Sequence, residues 1–335
     1  MPTVLVSSNR KLFESFFSPE HQKHLSRTAT WSSQGARTID RRMRIRLQEA
    51  DALITTWDSP SFFPEELLEW APRLRMIAHC GGSVKTRFAR PLFEGLVITN
   101  AADPMARHVA ELAVAFLLYY ARDIDHYRQL LRSSSNDIYQ EMHLTGGGCQ
   151  TMLGQEVGLI GLGRIGRAIV ELLAPFGVRF RVYDPYVQAD ALGLHTIEMD
   201  SLEQVLTRSR YLILAAALSA ETAEMLDRRR LALMPRGAVL INIARGGLVD
   251  LEALTQAVLQ GRLRCALDVT DPLEPLPEKH PLRRARGAIL TPHVGAISLA
   301  VRHEMASIVL ADLGRFFAGK PVENRVTTNM LDRMT

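Results

Sequence analysis

Cysteine is scarce in this chain. Its three cysteines, Cys80, Cys149 and Cys265, are odd in number and widely separated. That spacing fits neither a disulfide framework nor a zinc site and points to a reducing compartment; no metal site is expected. Long apolar runs are also missing. The longest, Leu112 to Tyr120, is far too short to cross a bilayer. Met1-Pro2-Thr3-Val4 opens as a strand, without the basic and apolar regions of a signal peptide. The expectation is a cytoplasmic protein with no membrane partner. Neither sign of charge dominates, since the formal net charge is +4. The clusters Arg41-Arg42-Met43-Arg44, Arg228-Arg229-Arg230 and Arg283-Arg284 are short and mixed with apolar residues. They read as solvated helix faces and not as a nucleic-acid groove, although a mildly basic surface draws in small anions. With 47% hydrophobic and 23% charged residues, the 335-residue chain is an ordinary globular one, long enough for two domains.

One stretch organises what is present. Val157 to Ile160 is a short apolar run, as expected of a strand buried on both faces. Gly161, Gly163 and Gly166 follow as G-x-G-x-x-G. Ile165, Ala168, Ile169, Leu172 and Leu173 then repeat at helical spacing, Gly177 closes the helix, and Val178 to Tyr183 reads as a second strand ending at Asp184. Each part has a physical task. Gly161 permits a tight turn, Gly163 lets backbone approach a pyrophosphate, and Gly166 lets helix and strand pack closely. The helix N-terminus offers unpaired N–H groups to that pyrophosphate. Asp184 lies near the distance at which a carboxylate meets the adenosine ribose hydroxyls. A lone glycine motif is weak evidence, but the whole strand–turn–helix–strand–acid unit predicts dinucleotide binding.

Around this unit, strands and helices alternate, which argues for parallel sheets covered by helices. Before it, strands are expected at Val4 to Ser7, Ala52 to Thr56, Leu74 to His79 and Leu96 to Thr99. Helices are expected at Lys11 to Phe17, Arg41 to Ala50 and Pro64 to Trp70, the last with Pro64 in its first turn. One long helix is expected from Asp103, as N-cap, to about Arg132, with Ser133 to Asn136 ending it and Gly146 to Gly148 as a loop. The final helix, about Ser298 to Ala318, can return to the first domain. The expected organisation is therefore a discontinuous substrate domain over 1–102 and 297–335 and a dinucleotide-binding domain over 103–296.

Three segments at predicted strand ends carry groups suited to chemistry, where open α/β sheets bind ligands. Asn242-Ile243-Ala244-Arg245-Gly246-Gly247 sends an arginine into a turn, placed for bidentate contact with a carboxylate. Asp268 to Pro277 carries Asp268, Asp271 and Glu274. Thr291-Pro292-His293-Val294-Gly295 places a histidine, the natural proton donor at neutral pH, after a strand. A carboxylate beside that histidine would hold its orientation and favour the imidazolium. Singly, Arg245 reads as a surface arginine, Glu274 as a solvated acid and His293 as a structural histidine. Together, downstream of a dinucleotide unit, they fit reduction of a 2-oxo acid by hydride.

With these motifs the chain resembles the D-isomer-specific 2-hydroxyacid dehydrogenases over nearly its whole length. The resemblance rests on the Gly161 fingerprint, the N-I-A-R-G-G-L-V-D run at Asn242 and the T-P-H-V-G run at Thr291. It implies an NAD-dependent enzyme with two doubly wound domains, a flavodoxin-like substrate domain and a Rossmann NAD-binding domain, with a cleft between them, and a homodimer. By the same match, Arg245 would bind the substrate and His293 would be the acid/base with Glu274 as its partner. The cofactor would meet Gly161, Gly163, Arg164, Ile165, Gly166, Asp184, Ala244 and Asp268, the last through the nicotinamide carboxamide. Backbone at Gly81, Gly82 and Ser83 would hold the carboxylate from the other domain. Two departures stand out. Glu274 follows Asp268 by six residues where the family commonly has five, and Ser83 and Lys85 replace a glycine and an acid of the substrate loop. The alternative is a non-catalytic, NAD-sensing binding protein of the same fold, like the corepressors that share it.

Overall fold

Among the described residues twelve short runs form strands, and every pairing between these strands is parallel. The computed structural model describes residues 1–35, 37–133, 137–145, 150–187 and 196–331. The chain divides into two units, Met1–Met105 with Ala296–Thr335, and Ala106–Gly295. Among the described residues no helix is long and apolar enough to cross a membrane.

The first unit holds β1 (Thr3–Ser7), β2 (Thr30–Ser33), β3 (Ala52–Thr55), β4 (Met76–His79) and β5 (Val97–Asn100), in the order β2-β1-β3-β4-β5. This is the flavodoxin-like order. Alternate residues go to opposite faces. Val4, Val6, Ala52, Ile54, Met76 and Ala78 pack with Phe13, Phe16, Leu25 and the C-terminal helix Leu299–Phe317. Leu5, Leu53 and Ile77 pack on the other face with Met43, Leu47 and Leu67. Each fully buried Val, Leu, Ile, Phe or Met among them contributes roughly 1.5–3 kcal/mol. Asp312 ties the chain end down, accepting from the backbone of Glu323 and Asn324 at 2.8 and 3.2 Å.

At the end of β4, His79 is buried and its Nδ1 meets Thr55 Oγ1 at 2.9 Å. Burial, reinforced by Arg87, lowers its pKa to about 3. The unfolded chain therefore binds a proton below about pH 6.5 that the folded chain refuses, so stability falls as pH drops through that window. We expect this group alone to remove about 2 kcal/mol between pH 7 and pH 5. Urea unfolding checks it: His79→Gln should flatten the acid slope, and an unchanged slope rejects the assignment.

The second unit holds β6 (Glu156–Ile160), β7 (Arg179–Tyr183), β8 (Ile197–Met199), β9 (Tyr211–Leu214), β10 (Val239–Asn242), β11 (Arg264–Leu267) and β12 (Ala288–Leu290). Their order is β12-β11-β10-β9-β6-β7-β8, so the winding reverses between β6 and β9. Both units are thus doubly wound. Arg181, buried on β7, joins three strands through Glu156, Glu198 and Asp200.

Several expectations need correction. The long helix is two, Ala102–Ala121 and Ile124–Ser133, because Asp123 takes a left-handed φ of 46° while pairing with Arg264 at 3.0 Å. Asp103 lies inside the first turn, past the N-cap position expected of it. Pro64 precedes a one-turn helix, Leu67–Trp70. The strands β2 and β8 and the helices Pro19–Thr28 and Asp137–Thr145 were not anticipated. Ser134 to Asn136, Gly146 to Gly148 and Cys149 lie outside the described residues.

Candidate active site

The carboxyl ends of β6 and β9 flank the point where the sheet reverses, the place such sheets bind ligands. Gly161 follows β6 with φ of +95°, and a Cβ there would lie 2.6 Å from the Ala216 nitrogen. Any side chain would strain the turn and collide with the β9 loop. At Gly166 a Cβ would lie 2.2 Å from the Gly161 carbonyl oxygen, so the helix Arg164–Leu173 sits hard against the turn. Gly163 differs: a Cβ there meets nothing within 4 Å. The backbone at the N-terminus of that helix is therefore open to a ligand, and Arg164 and Ile165 form its first turn. Asp184, just past β7, accepts from the Leu162 N–H at 2.7 Å and from the Tyr186 N–H at 2.9 Å. Its carboxylate locks the glycine turn and retains two of its roughly four acceptor positions. The donors, the open backbone and the acid suit a dinucleotide.

At the end of β10 the chain folds back on itself. Asn242 Oδ1 accepts from the Ala244 N–H at 3.0 Å and Asn242 Nδ2 donates to the Arg245 carbonyl at 2.9 Å. Ala244 is buried, and Arg245 is half-buried with Nη1 donating to the Ala244 carbonyl at 2.7 Å. Burial lowers the pKa of its guanidinium, and the Glu274 charge opposes that shift. Gly246 packs so closely on the next loop that a Cβ would lie 2.2 Å from the Thr270 carbonyl carbon.

The end of β11 builds the third part. Asp268, 2% exposed, spends its carboxylate on the 291–295 loop. It accepts from Thr291 Oγ1 at 2.5 Å, Val294 N–H at 2.8 Å and Gly295 N–H at 3.0 Å, while its carbonyl accepts from His293 N–H at 2.9 Å. His293 sits at φ +56°, a conformation costing of order 1–3 kcal/mol for a non-glycine residue. The four bonds to Asp268 hold it there. The Asp268 carboxylate thus serves the histidine loop, a task that spacing did not suggest. His293 Nδ1 meets Glu274 Oε1 at 2.5 Å, and Glu274 Oε2 accepts from Thr270 N–H at 3.2 Å. The extra residue before Glu274 leaves it in register with His293. The ring is 51% exposed, so Nε2 remains to meet a substrate.

In the other unit, Gly81, Gly82 and Ser83 follow β4. The Gly81 N–H is committed to the His79 carbonyl at 2.9 Å, and a Cβ at Gly81 would lie 2.4 Å from His79 Nε2. Asn100 Nδ2 holds the Gly82 carbonyl. The N–H groups of Gly82 and Ser83 have no partner among the described residues.

Comparison with known proteins agrees with this arrangement. The sequence model of the D-isomer specific 2-hydroxyacid dehydrogenase NAD-binding domain matches residues 114–295. A D-3-phosphoglycerate dehydrogenase of Methanocaldococcus jannaschii is 30% identical over 286 residues, covering 84% of this chain and 52% of that protein. The chain thus spans about half the length of that relative. A glyoxylate reductase of Pyrococcus horikoshii is 32% identical over 281 residues, covering 82% of each. A solved Thermus thermophilus structure superposes with a TM-score of 0.78 at 29% identity, covering 97% of this chain and all of the other. The chain belongs to the D-isomer-specific 2-hydroxyacid dehydrogenase family, and residues 114–295 are its NAD-binding domain.

Proposed function

We propose that the chain is an NAD-dependent oxidoreductase that interconverts a 2-oxo acid and a D-2-hydroxy acid. The observation that carries this reading is the His293–Glu274 pair at 2.5 Å, on the same sheet end as Arg245 and the glycine turn. Gly161, Gly163, Arg164, Ile165, Gly166, Asp184 and Ala244 hold NAD(H), which supplies or accepts the hydride at its nicotinamide when bound. Arg245 binds the substrate carboxylate and carbonyl oxygen through its planar fork. In their own unit, the N–H groups of Gly82 and Ser83 are two candidate donors to an anion. His293 Nε2 gives a proton to the carbonyl oxygen in reduction and takes it back in oxidation. Glu274, on Nδ1, fixes the ring's orientation and compensates its positive charge. A proton donor oriented by a carboxylate suits catalysis, and this pair favours the enzyme over a non-catalytic NAD-sensing protein.

The test is NADH oxidation against glyoxylate, pyruvate, hydroxypyruvate, phosphohydroxypyruvate and branched and aromatic 2-oxo acids. Reduction of none of them counts against the enzyme. The coenzyme should be NADH in preference to NADPH, because the Asp184 carboxylate repels a 2′-phosphate and Pro185, Tyr186 and Val187 supply no cation. Equal catalytic efficiency with the two coenzymes rejects this, and Asp184→Ala should narrow the gap.

The partners are a small 2-oxo or 2-hydroxy acid and a second copy of the chain. Support for a homodimer comes from Leu131, Tyr139 and Leu144, which are 74%, 64% and 88% exposed on the helices Ile124–Ser133 and Asp137–Thr145. Large apolar side chains so bare along one segment mark an interaction surface. Sedimentation at the mass of one chain would reject it. Free, buried Cys80 and Cys265 support a cytoplasmic location; a fluorescent fusion found outside the cytoplasm would contradict it.

A further inference from the structure

We infer that Asn242 is a positioning residue for the substrate clamp, acting through the main chain of Arg245. The inference rests on the reading of Arg245 as the group that binds the carboxylate. Asn242 ends β10 and is 1% exposed, yet carries a fully polar side chain. Both halves of its amide are used, and both serve the next three residues. Oδ1 takes the N–H of buried Ala244, and Nδ2 reaches the carbonyl of Arg245. The two bonds close a ring over residues 242 to 245. An unpaired buried amide is costly, so the ring has one stable form.

That ring determines where the guanidinium sits. Arg245 has an extended backbone, φ −143° and ψ 143°, and its Nη1 returns to the Ala244 carbonyl at 2.7 Å. The side chain is thus referenced to Ala244, the residue whose N–H Asn242 holds. On its other side Asn242 is anchored too, because its carbonyl accepts the Asp268 N–H at 3.0 Å. Asp268 in turn holds His293. Neighbouring strand ends therefore carry two buried polar residues, one setting the anion clamp and one setting the proton donor, joined by a single main-chain bond. A misplaced clamp is costly because a shift of about 1 Å in substrate position lowers rates about a hundredfold.

The experiment is a double-mutant cycle on the full chain, combining Asn242→Ser with Arg245→Ala. Oxamate binding to the NADH-loaded protein is measured by calorimetry, NADH binding by fluorescence, and kcat/KM with the best acid of the panel. In the native background Asn242→Ser should weaken oxamate binding and kcat/KM about tenfold to a hundredfold, the scale of a lost buried hydrogen bond. NADH binding should change less than about threefold, and in the Arg245→Ala background the further loss should also stay within about threefold. Equal losses in both backgrounds, or NADH weakened as much as oxamate, would make Asn242 a general structural residue and overturn the proposal. Oxamate binding that is indifferent to Arg245→Ala would remove the clamp and overturn it too. If the wild type reduces no acid in the panel, the enzyme reading fails while the oxamate cycle still judges Asn242. Circular dichroism checks folding. Should Asn242→Ser not fold, Asn242→Asp takes its place, keeping the acceptor for Ala244 and losing the donor to Arg245. If neither folds, Asn242 is structural and the assignment falls.

Discussion

Arg245→Lys should lower kcat/KM for the 2-oxo acid by about 1.5–3 kcal/mol, a factor of roughly ten to a hundred and fifty. The charge is kept, so the loss measures geometry. Arginine has five N–H donors in a planar fork, and Nη1 spends one on the Ala244 carbonyl at 2.7 Å. The remaining donors can meet both a carboxylate oxygen and the adjacent carbonyl oxygen in one plane. An ammonium at the end of a lysine stem is a point charge and cannot anchor to Ala244 and span two oxygens together. Its setting worsens matters, since burial already opposes the charge on Arg245 and outweighs the favourable charge of Glu274. A lysine sheds its proton far more readily than arginine in such a place. The loss should appear with 2-oxo acids and leave the dissociation constant of NADH near the native value, because the glycine turn is built on β6. Near-native kinetics in Arg245→Lys would move the anion clamp elsewhere, with Lys85 of the β4 loop the first residue to test.

The unit around Gly161 was legible because each of its signals has a local cause. A buried parallel strand needs an apolar run, the turn needs glycine, and the helix needs one apolar stripe. The strands β1, β3, β4 and β6 are short apolar runs buried on both faces, and they were found within one or two residues. The strands that escaped notice, β2 and β8, lie at sheet edges with largely exposed side chains. Their T-W-S-S and I-E-M sequences have no apolar run to betray them. The helix Pro19–Thr28 carried capping signals in Ser18 and Pro19, but only Leu25 in it is buried, so its apolar stripe is too thin to see. The break at Asp123 is set by an ion pair with Arg264, far away in sequence, and local propensity has no access to that. In the site, Arg245, Glu274 and His293 could be picked by residue type at strand ends. The tasks of Asn242 and Asp268 could not, because both act through backbone groups of other segments that only the folded chain brings near.

His293→Ala should abolish most turnover, by about a hundredfold to ten-thousandfold, the usual contribution of a positioned acid or base. As hydride arrives at C2 in reduction, the carbonyl oxygen becomes an alkoxide and needs a proton. His293 Nε2 is the nitrogen left to give it, because Nδ1 is held by Glu274 at 2.5 Å. Alanine removes the donor and leaves the loop intact, since the bonds from Asp268 run to Thr291 Oγ1 and to the backbone of 293, 294 and 295. NADH should therefore bind the variant with near-native affinity, and kcat should collapse. Alanine is also no better suited than histidine to the left-handed backbone at φ +56°, so no gain in stability is expected to confuse the result. Glu274→Gln tests the second half of the pair. It removes the charge that compensates the protonated ring and keeps a hydrogen-bonding group, so kcat should fall by a smaller factor, about ten to a hundred. In the double variant, removing Glu274 after His293 should cost little more, because the acid has no ring left to orient. Normal turnover by His293→Ala, or equal losses from Glu274→Gln in both backgrounds, would place the proton donor elsewhere and reopen the binding-protein alternative.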